Sequence, residues 1–291
     1  PIQELAREAD LVADLRARCD YAGSAGRMPL LLRQLHAAAQ GPDHDDALKL
    51  LVVVADQASK IVRYVGFPGE SWLAAERSHQ AAQELDEPVM LAVAAYSRSH
   101  AASGCSLWKR SLSIAERGVA DLEPHIGDPA APELLGMLHL TAAHDLYALG
   151  RLDDATEQIK AAQQIAAQTG DTTTFRMSFG PSNIRFWLVS MEVTSGDPGK
   201  AVEIARQTNP AAVRSASRQT AFYLDFAKAL ALIGRDREAV RMLTTAERLA
   251  PQRVRASRHA ASTARMLLER AQRDAAGSEL RGFAERLGID A

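Results

Sequence analysis

The sequence predicts an all-α fold, a solenoid of antiparallel helix pairs stacked side by side. Three observations lead there. Of the 291 residues 47% are hydrophobic but only 5% aromatic, with alanine throughout, and alanine both favours helix and lets neighbouring helices approach closely. Glycines recur at 66, 104, 150, 196 and 234, spaced 38, 46, 46 and 38 residues apart, and self-similarity at such a period marks repeat architectures. Each glycine closes an amphipathic segment, and no segment of strand periodicity is long enough to compete.

An additional pair precedes the first glycine, giving a first unit at about 2–40 with helices at 2–20 and 27–40. Further pairs follow at about 43–85, 88–122, 130–169, 178–208 and 215–249, all within one repeat domain spanning 1–291. The phrases around the glycines share one shape. Ala148-Leu149-Gly150-Arg151-Leu152-Asp153-Asp154-Ala155 and Leu232-Ile233-Gly234-Arg235-Asp236-Arg237-Glu238-Ala239 match best, and Thr194-Ser195-Gly196-Asp197-Pro198-Gly199-Lys200-Ala201 follows them. Tyr64-Val65-Gly66-Phe67-Pro68 and the Gly104 copy agree by spacing and amphipathicity. Glycine accepts the left-handed conformation that ends a helix, and Asp or Pro starts the next. Ala155, Ala201 and Ala239, each five residues after a glycine, share a face with Ala162, Thr208 and Ala246, seven residues later, so the two helices of a pair can lie close. Breaker-rich loops fall at Glu123-Pro124-His125-Ile126-Gly127-Asp128-Pro129 and at 169–174. Pro251 ends the last pair, and capping helices at about 256–287 (256–273 and 278–287) close the array.

This alternation resembles the tetratricopeptide pattern, which implies a right-handed superhelical solenoid with a concave wall. From about residue 42 onward the chain is similar to the C-terminal sensor region of actinobacterial Xre/Cro-type helix-turn-helix transcriptional regulators. The phrases that carry the likeness are Phe179-Gly180-Pro181-Ser182-Asn183-Ile184, the Gly196-Asp197-Pro198-Gly199 turn, Phe222-Tyr223-Leu224-Asp225-Phe226-Ala227-Lys228-Ala229, and Ala246-Glu247-Arg248-Leu249-Ala250-Pro251-Gln252-Arg253-Val254-Arg255. The chain departs from the family after Arg255, where Ala256-Ser257-Arg258-His259-Ala260 lacks the family's His-Pro step. The resemblance implies a ligand-sensing and dimerisation module, with a homodimer as the assembly. Contact with DNA would come only through a domain outside this chain: Gln3 to Ala9 superficially matches one helix of a DNA-binding unit, but Asp10 to Arg16 continues the same helix with no turn. Because the chain opens on Pro1, it is expected to be the later part of a longer protein. The alternative reading is a freestanding protein–protein interaction scaffold.

A formal charge of −2 gives no general attraction to nucleic acid or anionic membrane. The longest apolar run, from Leu50 to Ala55, is far short of the ~20 residues that cross a bilayer. A cytoplasmic location is therefore the default expectation. Cys19 and Cys105 are lone thiols without a ligand pattern. No catalytic constellation, phosphate-binding glycine loop or zinc motif occurs, so neither an enzyme nor a cofactor is expected. His139 and His144 lie five residues apart on one helix and point in different directions. Asp153-Asp154 suits a helix start. Gly180-Pro181-Ser182-Asn183 reads either as an anion-binding helix start or as a simple cap with proline at the first position.

Solenoids of this kind bind on the concave wall. Counting each glycine as position 15, the tetratricopeptide pattern turns positions 2, 5, 9, 12 and 13 inward, and position 9 gives Lys60, Arg98, His144, Ser190 and Lys228. Arg63, Tyr64, Tyr147, Asn183 and Phe186 join them as candidate ligand-binding residues, beside Asp56. A row of cationic and hydrogen-bonding groups suits a peptide or small-molecule ligand, an anionic one such as a peptide carboxylate above all. Trp72, Trp108 and Trp187 read as packing residues.

Overall fold

The structure, a computed structural model, describes residues 1–271 and 278–289. It is an all-α helical repeat, and the only β-type pairing among the described residues is a bridge between Thr172 and Phe179. The helices are α1 (Ile2–Ala17), α2 (Tyr21–Ala38), α3 (His44–Tyr64), α4 (Pro68–Leu85), α5 (Pro88–Gly104), α6 (Trp108–Leu122), α7 (Ala131–Ala148), α8 (Leu152–Thr169), α9 (Pro181–Ser195), α10 (Pro198–Arg206), α11 (Ala216–Leu232), α12 (Asp236–Leu249), α13 (Pro251–Arg255), α14 (Arg258–Ala271) and α15 (Ser278–Arg286). They form two compact units, residues 1–184 and 185–291. Residues 272–273 of the capping helix expected at 256–273 lie outside the described residues.

One hairpin turn builds the six pairs from α1/α2 to α11/α12. The N–H of Asp20, Phe67, Leu107, Arg151, Asp197 and Arg235 reaches back to the carbonyl of Leu15, Val62, Ala102, Leu146, Glu192 and Leu230, at 2.8–3.1 Å. This bond closes the last turn of the first helix and requires a left-handed residue just before the donor. Those residues are Cys19, Gly66, Ser106, Gly150, Gly196 and Gly234, all with positive φ. Two of the six are not glycine, so the glycine count misses the first copy and misplaces the third. Gly104 is the last residue of α5, and the turn it was expected to make belongs to Ser106 (φ 59°).

Aligned on these turns, the fifth residue onward is Ser24, Ser71, Ser111, Ala155, Ala201 and Ala239, and every one is fully buried. A small residue there lets the second helix of each pair sit against the first. The serines tie the pair as well: Ser24 Oγ donates to Val12 O, and Ser111 Oγ donates to Ser99 O. A second small residue follows at Ser78, Gly118, Ala162 and Ala246; Ser78 Oγ donates to Val52 O, and a Cβ on Gly118 would stand 3.0 Å from Ala95 Cβ. Thr208 fails this pattern, because α10 ends at Arg206 and leaves it beyond the helix.

In residues 1–184, α1, α3, α5 and α7 touch one another in sequence, while α2, α4 and α6 each pack between the first helices of adjacent pairs and α8 packs on α7, without comparable contact among these four. The odd helices therefore form the tighter, inner layer. Helix α2 starts at Tyr21, before the expected 27, because the Asp20 carboxylate accepts from Gly23 N at 2.9 Å and caps it early. In residues 185–291 the core gathers Phe186, Val189, Val202, Phe222, Leu230, Leu243, Leu267 and Phe283 from α9 to α12, α14 and α15. Glu247 on α12 holds Arg286 of α15 by three hydrogen bonds of 2.8–3.1 Å.

Candidate functional site

The turn register decides which side chains reach the inner layer of residues 1–184. Counting from Cys19, Gly66, Ser106 and Gly150, the ninth position is Ala13, Lys60, His100 and His144, and the twelfth is Arg16, Arg63, Ser103 and Tyr147. Arg98 leaves the row. Its Nε donates to Glu76 of α4 at 2.8 Å, and its guanidinium lies 5.4 Å from the Trp72 ring of the same helix. The inner position assigned to Arg98 belongs to His100, because the turn sits two residues later than its glycine. Arg16 enters the row unforeseen; a left-handed turn at a cysteine leaves no mark that a search for glycines can find.

A buried polar cluster occupies α1, α3 and α5. Lys60 Nζ lies 2.5 Å from Asp56 Oδ2 and 5.3 Å from the centre of the Tyr96 ring, and its side chain is 9% exposed. Burial pushes the Lys60 ammonium below its usual range, and the neighbouring Arg16 charge adds to this against the opposing pull of Asp56. Gln57 Nε2 donates to Asp56 Oδ2 at 3.2 Å. The Tyr96 ring lies 4.4 Å from that of His100, tilted at 55°, and His100 Nε2 lies 3.5 Å from Thr141 Oγ1 on α7. Three buried polar atoms of the cluster lack a partner among the described residues: Arg16 Nε, Asp56 Oδ1 and Gln57 Oε1. Such atoms cost stability unless something outside the fold meets them. A peptide group, with one C=O and one N–H, complements a donor and one acceptor of this kind and leaves the second acceptor for a further N–H.

The other candidates are divided. Arg63 lies 4.8 Å from the Tyr64 ring, which packs tilted against Tyr21 at 5.8 Å. His144 packs against Trp108 of α6 at 5.8 Å and lies 3.9 Å from the carboxylate of buried Asp145. Burial raises the Asp145 pKa, opposed by hydrogen bonding from His144 and Ser111. His139 turns to Gln158 on α8, 2.7 Å away. Tyr147 is half-buried, whereas Asn183 is buried and donates through Nδ2 to Ser178 O at 2.5 Å, holding the loop before α9. In residues 185–291, Phe186 belongs to the core, stacked at 4.6 Å on Phe222, and Ser190 is half-buried with its carbonyl accepting from Thr194. Lys228 is half-buried and adds its charge to that of Arg253 beside His259. His259 Nε2 lies 3.6 Å from Asp225 Oδ1, and burial lowers its pKa against that carboxylate's pull. Trp187 is buried under the guanidinium of Arg218, 5.3 Å away.

The loop between α8 and α9 is a short strap folded back on itself, its ends paired by the Thr172–Phe179 bridge and its tip a 3-10 turn at Thr174–Arg176. Its Thr174 N–H donates to Glu133 Oε2 on α7 at 2.8 Å, and the far end of the Phe179 ring packs against Gly136 of the same helix. At its other side, Arg176 Nη1 meets Asp14 Oδ1 at 2.5 Å and Nη2 meets Asp10 Oδ1 at 3.2 Å, both on α1. The Arg176 carbonyl accepts from Arg16 Nη2 at 3.2 Å. The loop thus joins the first and last inner helices of the unit. Phe175 and Arg176 are both left-handed, with φ 49° and 55°, a conformation costing about 1–2 kcal/mol per residue. Its contacts with α1 and α7 offset that strain. Of the two readings of Gly180 to Asn183, the chain fills the helix start itself: Asp171 accepts from Ser182 N at 3.1 Å and from Ser182 Oγ at 2.7 Å.

No group of three or more His, Cys, Asp or Glu side chains placed to hold a metal occurs among the described residues, and none of their helices is long and apolar enough to cross a membrane.

No protein-family model and no curated protein matches the chain. Among solved structures, a Rap protein complexed with competence and sporulation factor aligns over 99% of this chain and 78% of its own, with a TM-score of 0.52 and 12% identity. A Podosopora anserina protein, described as a kinesin light chain with nearly identical TPR-like repeats, aligns over 67% of this chain and 92% of its own, with a TM-score of 0.40 and 16% identity. The Rap likeness agrees with the class of fold reached from the turns: an all-α repeat of tetratricopeptide-like pairs.

Proposed function

We propose that the chain is an interaction module that takes a peptide on the inner layer of residues 1–184, and that it serves as the ligand-sensing and dimerisation region of a bacterial transcriptional regulator. One observation carries the peptide reading: a donor, Arg16 Nε, and two acceptors, Asp56 Oδ1 and Gln57 Oε1, are buried together without partners beside the Lys60–Asp56 pair. A main-chain amide supplies the complementary carbonyl and N–H. The shared fold with a Rap protein crystallised with its factor supports a peptide over a metabolite. The regulator role rests on the resemblance of the phrases at 179–184 and 222–255.

A peptide array followed by titration calorimetry on the full chain tests this. Lys60→Ala and Gln57→Ala should each weaken a peptide that binds by about ten-fold, whereas Arg98→Ala should leave it unchanged. Equal loss from Arg98→Ala, or none from the first two, would place binding elsewhere.

A further inference from the structure

Three buried atoms of the inner layer stand without partners among the described residues: Arg16 Nε, Asp56 Oδ1 and Gln57 Oε1. They belong to one cluster. Gln57 Nε2 and Lys60 Nζ both donate to the other oxygen of Asp56, at 3.2 and 2.5 Å, and Arg16 is near enough to Lys60 for its charge to act on the ammonium. The far end of the Arg16 guanidinium is already engaged, since Nη2 donates to Arg176 O at 3.2 Å. The unmet set is therefore one N–H donor and two oxygen acceptors, one of them on a carboxylate. Arg16, Asp56 and Gln57 are 4%, 1% and 1% exposed, so leaving these atoms bare carries the desolvation cost of each group.

That count narrows the chemistry that completes the cluster. A main-chain amide brings one C=O and one N–H, meets Arg16 and a single acceptor, and carries a chain on both sides at a depth that suits a side-chain tip. A carboxylate brings only acceptors and sets them against Asp56 and Gln57. An ammonium or guanidinium brings only donors, beside the cations of Arg16 and Lys60. A hydroxyl has one donor for two acceptors. A primary carboxamide has one C=O and two N–H on a single flat group, and it meets all three. A water molecule offers the same count, and a carboxamide that displaces one reproduces its bonds.

We infer that the cluster is a carboxamide subsite: the peptide presents a glutamine or asparagine side chain, or an amidated C-terminus, whose C=O accepts from Arg16 Nε and whose two N–H donate to Asp56 Oδ1 and Gln57 Oε1. This rests on the peptide reading above and adds which group of the peptide is read. Lys60, the most exposed of the four at 8%, is the side chain that moves to admit it. Selectivity follows from burial, because a site built to hydrogen-bond one group leaves its own polar atoms bare when a substitute lacks that group.

The probes are pools of acetylated eight-residue peptides, each with one fixed residue (Gln, Asn, Glu, Met or Lys), and amidated pools free of Gln and Asn. They are captured on the full chain and read by mass spectrometry. Enrichment of the Gln or Asn pools assigns the subsite to a side chain, and enrichment of the amidated pools alone assigns it to a chain end; either supports the carboxamide. In a captured peptide, replacing the carboxamide residue by glutamate or methionine, or the terminal amide by a free carboxylate, should weaken binding by about ten-fold or more in anisotropy titrations. That comparison needs no altered protein. On a Gln57→Met chain with unchanged circular dichroism, the same peptide change should cost about three-fold less than on the native chain, since one partner of the amide is gone. Equal cost on both chains, or enrichment of the Glu, Met or Lys pool instead, would overturn the inference. Captured peptides that depend on Lys60 and Gln57 but tolerate loss of every primary carboxamide would leave the three atoms to a trapped water, sinking this inference while sparing the peptide-binding reading. Capture of no peptide would sink both.

Discussion

Replacing Gly136 by alanine should change sign with its neighbour. In the native chain the new methyl would meet Phe179 Cζ at 2.1 Å and Cε2 at 2.2 Å, whereas carbon atoms rest at about 3.5–4.0 Å. Phe179 is 1% exposed, and the strap that carries it is fixed on both sides, so the ring must leave rather than slide. Losing its burial costs about 1.5–3 kcal/mol. Alanine in place of glycine within a helix returns about 1 kcal/mol. The expected net effect of Gly136→Ala is therefore a destabilisation of about 0.5–2 kcal/mol, accompanied by faster amide exchange in residues 172–179. With the ring removed by Phe179→Ala, only the helix term remains, and the same substitution should stabilise by about 1 kcal/mol. Denaturant melts of the four chains in this cycle, with hydrogen-exchange mass spectrometry on the strap, measure both signs. If Gly136→Ala stabilises the native chain, or destabilises the Phe179→Ala chain equally, the ring does not rest on Gly136 as described.

Ser106→Gly should raise stability by about 0.5–1 kcal/mol, since a left-handed serine is relieved at some cost in unfolded-state entropy; a fall in melting temperature would contradict the turn assignment. Asp56→Ala strands a buried ammonium and should cost about 3–5 kcal/mol, while Asp56→Leu/Lys60→Met should recover most of that in the same denaturant melt. Glu247 is held below its usual pKa by Arg286, with burial opposing, so its stabilising contribution is complete above the ordinary value of 4.5 and fades as pH falls through the lowered folded value. Glu247→Gln should cost about 1 kcal/mol at neutral pH, a figure reduced for the exposure of Arg286, and should flatten this acid loss in melts followed from pH 7 to 3. Glu133 behaves in the opposite sense: burial raises its pKa against hydrogen bonding from Thr172 and Thr174, so its protonated form is favoured below 4.5 and that advantage is lost as pH rises through the folded value. Glu133→Gln should keep the strap protected from exchange, because an amide oxygen still accepts from Thr174, and Glu133→Ala should expose it.

The sequence by itself determined the class of fold, through the chemistry of its turns. A glycine that can turn left-handed, followed five residues later by a small side chain, is a local rule, and it is written openly at Gly66, Gly150, Gly196 and Gly234. Where the rule was met by another residue the text gave no sign. Cys19 and Ser106 adopt the same backbone because the packed pair around them outweighs their local preference, and this hid Arg16 and exchanged Arg98 for His100. The polar cluster at Lys60 was half legible: its position on the inner layer follows from periodicity, but its pairing with Asp56 and its nearness to Arg16 depend on how three helices lie together. The strap could not be read at all. Arg176 meets Asp10 and Asp14 across more than 160 residues of chain, and no periodicity connects them. Only the way α1 and α7 face one loop decides that contact, and this is set by the stacking of every pair between.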